Sequence, residues 1–302
     1  MTVGGIVAEP AKLGRAFAVG STLPMRLVKR APLVLLALVV LVAPTPAGAA
    51  TKPNPCLDDR LAPSLLCPDL KMKRPFDLSL DPTVKPGRVV LRAGNSIDNV
   101  GRGPAELSGV RSGRFGMRAR QRIYRRDGGR LGIFTGAKLF FKFVQGQTRY
   151  WKWRRAERFE LWRLDGRGRR ARLVRRGPKR DSCLRDLGHP FPRKPGSPLR
   201  RVYPSCSTER SRRLETIGTS VGWADVYPAS YPEQWIDVTG LRGCFAYRHV
   251  VDPSKGIFES NERNNAASRV VRLPYRGGAG GCPGTRPLDP PRAPRADLPI
   301  EP

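Results

Sequence analysis

Short stretches in which apolar and polar residues alternate recur along the chain, and no stretch carries a helical spacing with caps at both ends. Residues 88–92 (RVVLR), 117–125 and 138–144 (KLFFKFV, aromatics and lysines on alternate sides) read as strands. Residues 158–164 continue the series, and Asp165-Gly166 after them suits a two-residue hairpin turn, because both positions tolerate positive φ. Residues 234–238 and 243–251 read as neighbouring strands, the second placing Phe245, Tyr247, His249 and Val251 on one face; residues 268–273 form the last strand. The pattern predicts an all-β body of hairpins, as in sandwiches.

Two polar stretches interrupt it. Asn99, Gly101, Gly103 and Pro104 mark a tight loop; it lacks the lysine and the following helix of a phosphate-binding loop. In FESNERNN, Glu259, Asn261, Asn264 and Asn265 offer oxygens of the type calcium takes, but not at the spacing of a helix-loop-helix calcium loop. Bonding of these side chains to turn backbone is the favoured expectation.

The ends of the chain differ from the middle. Arg26, Lys29 and Arg30 precede an apolar run over 33–43 that is short for a transmembrane helix, and PTPAGAA follows. Residues 1–49 are therefore expected to be a secretory signal cleaved after Ala49, with Met25 an alternative start and an uncleaved anchor the rival reading. Residues 50–85 are expected to be a proline-rich extended leader, 86–275 the β domain, and 276–302 a flexible Pro/Arg/Gly tail. Export to the extracellular space or cell wall suits the six cysteines, an even set without a CxxC pair. Six cysteines allow fifteen pairings. Pairing in chain order, Cys56 with Cys67, Cys183 with Cys206 and Cys244 with Cys282, is the expectation.

With 56 Lys and Arg against 25 Asp and Glu, the net charge is +31. Such a surface attracts polyanions, although an arginine-rich proteome produces the same surface without a ligand. Residues 118–126, 149–155 and 167–180 set cations beside aromatics, a composition that favours polyanions by charge and stacking.

Two further stretches carry candidate redox chemistry: GPKRDSCLRD over 177–186, and GWADVYPASYPEQWIDVTGL over 222–241. The KxxxCLxD spacing, followed by a tyrosine ahead of QWIDVTGL, resembles the catalytic domain of the lysyl oxidase family. That resemblance spans roughly residues 86–275 and implies a disulfide-stapled β-sandwich with long loops. It further implies a copper-dependent oxidase of primary amines, including protein lysines. Its cofactor, lysine tyrosylquinone, would join Lys179 to Tyr227. Asp225, on the Tyr227 side of an extended strand, is the candidate base for the substrate α-proton. Arg175, Arg176 and Arg180 are the cations near Lys179 in sequence that would help keep its amine neutral.

One departure limits this implication. The family's copper ligands form a His-x-His-x-His string, and the corresponding run here, GQTRYWKW over 146–153, has Thr148, Tyr150 and Lys152 at the three positions. The whole chain contains two histidines, His189 and His249, so three imidazoles cannot be assembled. No metal ligand is assigned, and the expectation is weak or absent oxidase activity, a pseudoenzyme. Read structurally, Lys179 is an exposed loop lysine, Tyr227 a strand aromatic, Asp225 a surface carboxylate and His249 a buried or rim histidine. The rival function is a non-catalytic cationic β-sandwich that binds wall phosphate polymers or other extracellular polyanions.

Overall fold

A computed structural model describes residues 53–283, an all-β body stapled by three disulfides, with no α-helix among the described residues. The expected signal peptide and most of the expected tail lie outside the described residues. Two 3-10 turns, Pro55–Leu57 and Ala62–Ser64, lead into β1 (Leu65–Leu66), β2 (Leu70–Met72) and β3 (Phe76–Asp81). These are followed by β4 (Val90–Asn99), β5 (Ala105–Arg111), β6 (Gly116–Arg125), β7 (Arg130–Ile133) and β8 (Lys138–Phe143). Then come β9 (Arg149–Trp153), β10 (Glu157–Leu164), β11 (Arg170–Arg176) and β12 (Leu214–Thr219). The series closes with β13 (Ala224–Tyr227), β14 (Trp235–Asp237), β15 (Gly243–Val251) and β16 (Ala266–Leu273).

Three sheets result. The largest runs β12-β5-β6-β8-β9, with β1 and β7 also paired to β6; a second runs β11-β10-β15-β16; the third gathers β2, β3, β13 and β14 around β4. All pairings between these strands are antiparallel, and β4, ten residues long and buried on both faces for most of its length, organises the rest. One hydrophobic core, with Leu107, Met117, Leu139, Trp151, Trp153 and Ile217, covers the inner face of the largest sheet and takes in Ile97 of β4. A second, with Phe159, Leu161, Phe245, Tyr247 and Val271, lies on the four-stranded sheet and takes in Leu91 and Ala93 of the same strand.

Several local expectations are corrected. The segment before residue 86 is more than a leader, since it donates three strands and packs Cys56, Leu65 and Cys67 against Ile123 and Phe258. β14 does not neighbour β15; it pairs with β4, while β15 lies between β10 and β16. The connection after β10 is longer than a two-residue turn. Asp165 accepts backbone N–H bonds from Arg167 and Arg169, and the positive-φ residue is Gly168. The cysteines pair in chain order. By the chain-entropy argument each such closure is worth about 3 kcal/mol.

The Asn99 loop shows why its glycines are needed. Asn99 Oδ1 accepts from the Gly101 and Asp69 amides while its Nδ2 donates to the Gly103 and Thr219 carbonyls. This pulls the loop onto the 66–69 backbone, where a Cβ on Gly103 would collide with the Leu66 carbonyl and one on Gly101 with the Pro68-Asp69 peptide. Gly103→Ala is expected to cost about 2–3 kcal/mol through overpacking against backbone that cannot rotate away. The check is a lower urea midpoint; an unchanged midpoint would mean the loop yields.

Candidate functional site

The site lies at the seam between the two cores. Along one face of β4, Leu91 and Ala93 belong to one core and Ile97 to the other, and the intervening inward position is Asn95, fully buried. The same interruption occurs on the facing strands. On β10, Glu157 precedes Phe159 and Leu161 in phase, and on β15, His249 falls between Tyr247 and Val251. Gln234, just before β14, joins them. Gln234 Nε2 donates to Asn95 Oδ1 at 2.6 Å, Asn95 Nδ2 donates to Glu157 Oε2 at 2.6 Å, and Ser182 Oγ donates to Glu157 Oε1.

Into this polar seam runs the 179–183 segment. It is held by Glu157 N–H to Arg180 O, Arg155 N–H to Asp181 Oδ1, and a two-way bridge between Trp153 and Ser182. Lys179 is fully buried, not an exposed loop lysine. Its Nζ sits 3.5 Å from Glu157 Oε1, 3.5 Å from the centroid of the Tyr227 ring and 4.7 Å from that of Tyr231. Tyr227, at the end of β13, is also buried, and its hydroxyl both accepts from Cys183 N–H at 3.2 Å and donates to Cys183 O at 3.3 Å. The structure thus brings Lys179 and Tyr227 into contact.

Asp225 is a correction of a different kind. It is fully buried rather than a surface carboxylate, and neither oxygen has a hydrogen-bond partner. Burial pushes its carboxyl well above the usual carboxylate range, against the pull of Arg185 and Lys179. Burial, with Asp225 adding to it, raises the Tyr227 phenol well above its ordinary value as well. His249 is buried, stacked on Phe159 at 3.6 Å, with neither ring nitrogen partnered; burial and then Lys179 hold it well below the usual histidine pKa. Arg175, Arg176 and Arg180 are exposed, whereas the buried Lys152 amine lies within the field of Lys179.

The three positions that align with the imidazole string fall at and just before β9. Thr148 is exposed and its side chain bonds nothing among the described residues. Tyr150 and Lys152, two apart on one strand face, turn inward together. Lys152 Nζ bonds Tyr231 Oη at 3.0 Å and Tyr150 Oη at 3.4 Å; the two phenols bond each other, and Glu233 Oε2 stands 3.9 Å from the amine. Burial, reinforced by Lys179, lowers the Lys152 amine from 10.5 to about 7, so a fixed cation is the wrong description. Burial raises both phenols, which keeps them protonated. Copper(II) favours imidazole and other unprotonated donors. An exposed alcohol, a protonated phenol and an amine already shared between two hydroxyls do not make a fitting set. The histidines lie elsewhere, His249 in the seam and His189 stacked on Trp223 with Nε2 2.8 Å from Ser197 Oγ.

Residues 199–279 match the family model for lysyl oxidase, a stretch that includes Asp225 and Tyr227 but starts after Lys179 and the β9 positions. Over that stretch the chain is similar to the lysyl oxidase family, which supports the resemblance read from the motifs. No curated protein matches it.

Tyr231, Glu157 and Asn95 were not singled out from sequence, yet two of them were signposted. Glu157 and Asn95 occupy the inward phase of strands whose other inward residues are apolar, and a polar residue in that phase must find partners. In the FESNERNN stretch Asn261 bonds turn backbone as expected, accepting from Arg263 N–H, whereas Glu259 accepts from the distant Leu70 N–H and from Asn265 Nδ2, and Asn264 donates to the Asp69 side chain.

The Lys152 amine makes stability depend on pH with a definite sign. Between about pH 7 and 10.5 the folded chain holds fewer protons there than the unfolded chain, so stability climbs with pH across that window. Below it, the cost of burying the charge is paid in full. Comparing urea unfolding at about pH 6 and about pH 9, the advantage of Lys152→Met over the parent should shrink by on the order of 2–4 kcal/mol at the higher pH. A pH-independent difference would show that the amine is not perturbed.

Proposed function

We propose that this is an exported lysyl oxidase family protein in which copper-dependent oxidation of primary amines is weak or lost. The observation that carries the reading is the donor set at Thr148, Tyr150 and Lys152, where the amine and the phenols are engaged with one another. Family members depend on copper to convert the tyrosine of the Lys–Tyr pair into a quinone; no step through copper is derived for this chain.

The remaining residues have a consistent non-redox role. Lys179 sits over the Tyr227 ring with Glu157 at ion-pairing distance, and Tyr227 ties to the backbone of the disulfide-bonded Cys183. Together they close the seam between the cores. A cation over a desolvated aromatic face contributes about 2 kcal/mol, which favours retention of the pair without turnover. Export is supported by the three disulfides, which suit an oxidising compartment, and by the signal-like residues 26–49.

Protein produced with copper should yield Lys179 and Tyr227 in two ordinary peptides on mass mapping, with copper well below one per chain. A cross-linked peptide with stoichiometric copper would overturn the reading. Combined Thr148→His, Tyr150→His and Lys152→His should raise copper retention above that of the parent.

A second reading is favoured by the outer face of β6. Arg118 and Arg120 are exposed, their guanidinium carbons 4.7 and 4.4 Å from the Phe134 ring centroid, and exposed Lys138 lies opposite Arg118 in register. This row suits polyanions such as wall phosphate polymers. Retention on polyphosphate should weaken steeply with salt and should fall in Arg118→Ser/Arg120→Ser; equal retention by the variant would remove this face from consideration.

A further inference from the structure

Beside the Lys179–Tyr227 site lies a cavity of about 540 Å³, within the usual range for small-molecule pockets. Tyr150, Cys183 and Arg185 line it, with Ser205, Thr208 and Arg212 among the other lining residues. The wall is continuous with the seam. The Tyr150 hydroxyl reaches Lys152 Nζ, and Cys183 holds the Tyr227 hydroxyl from behind.

The charged groups on this wall are not equivalent. Arg212 pairs with Glu215 at 3.0 Å and donates to Leu214 O; Glu215 also accepts from Ser207 N–H, and Glu209 Oε1 accepts from Ser211 Oγ. Arg185 is different: it has no hydrogen bond or ion pair among the described residues, and its Nε is buried without a partner. The carboxyl whose field it shares, Asp225, does not reach ion-pairing distance and is pushed toward its neutral form by burial. A guanidinium left this way, at a cavity rather than in bulk water, lacks the carboxylate its fork-shaped donors match.

We propose that this cavity is a binding site for a small carboxylate, held by the Arg185 guanidinium. The inference goes beyond loss of amine oxidation and stands independently of it, because it concerns what the pocket accepts rather than what the seam can oxidise. Glu209 also lines the cavity but is exposed to water, whereas an ammonium substrate reaching the partly buried Arg185 would meet an uncompensated guanidinium. The ligand class is therefore opposite in charge to an amine. A free organic acid and the C-terminal carboxylate of a peptide share the required chemistry.

The test uses the full chain with succinate, an N-acetyl dipeptide, the same dipeptide as its amide, and cadaverine. Succinate at ~10 mM should raise the melting temperature by ~2–4 °C. The dipeptide acid should do so, and its amide should not, if chain termini are the source. Cadaverine should give no shift. Arg185→Gln should weaken succinate binding at least tenfold, whereas Arg172→Gln, on the exposed β11 edge, should bind as the parent does. Independently of any variant's folding, succinate should protect Arg185 of the parent from phenylglyoxal, read by peptide mapping. Equal binding by parent and Arg185→Gln would assign the effect to surface charge and overturn the proposal. So would unprotected Arg185 in saturating succinate, or displacement of succinate by cadaverine.

Discussion

The structure depends on one electrostatic constraint: a lysine ammonium, Lys179, buried where two hydrophobic cores meet. Removing such a charge from water costs several kcal/mol even after relaxation. The neighbourhood is built to offset that. Glu157 supplies the opposing charge, Asn95 and Ser182 bond the carboxylate, and the Tyr227 ring presents its negative face to the amine. Asn95 and Glu157 sit at strand positions that would otherwise continue an apolar row, so the polar seam separates the two cores.

The seam also explains the architecture around β4. A ten-residue strand flanked on both edges by partners can carry apolar residues into two separate cores only if something satisfies the residue between them. Gln234 and Glu157, from two other parts of the chain, do this for Asn95. Breaking one member leaves the others buried and unsatisfied, which is why networks of this kind are costly to disrupt.

Much of this was legible in the residues, and what was not has a physical explanation. The alternation of apolar positions located β6, β8, β10, β15 and β16 closely, because period-two burial is a local property, but β7, β9, β11 and β12 were not read from it. Which strands pair was not local. β14 joins β4, some 140 residues earlier in the chain, and nothing in its three residues announces that partner. The motif around Lys179 and Tyr227 pointed to the two side chains that meet, but their burial, and that of Asp225, could not be read from flanking arginines. The charge-rich 175–180 segment keeps its arginines in water and turns only Lys179 inward. Tyr231 escaped notice because a tyrosine in a proline-containing loop carries no periodic signal, and its role emerges only when Lys152 reaches it from another sheet.

Lys152 itself is the most informative substitution. At a position where the family pattern has an imidazole, a lysine brings a longer, more basic group into the same desolvated space, and that space answers by lowering its pKa and bonding it to two phenols. The resulting amine–phenol cluster is internally satisfied and asks for no ion. Next to it, Arg185 is a cation left without a hydrogen bond or ion pair, and it lines a cavity as well as sharing the field of Asp225. Unmet bonding capacity thus lies both in the interior, at Asp225 and His249, and on the adjoining pocket wall, where a ligand can approach from solvent. A scaffold that changes in this way keeps its packing constraints while exchanging the chemistry it can support.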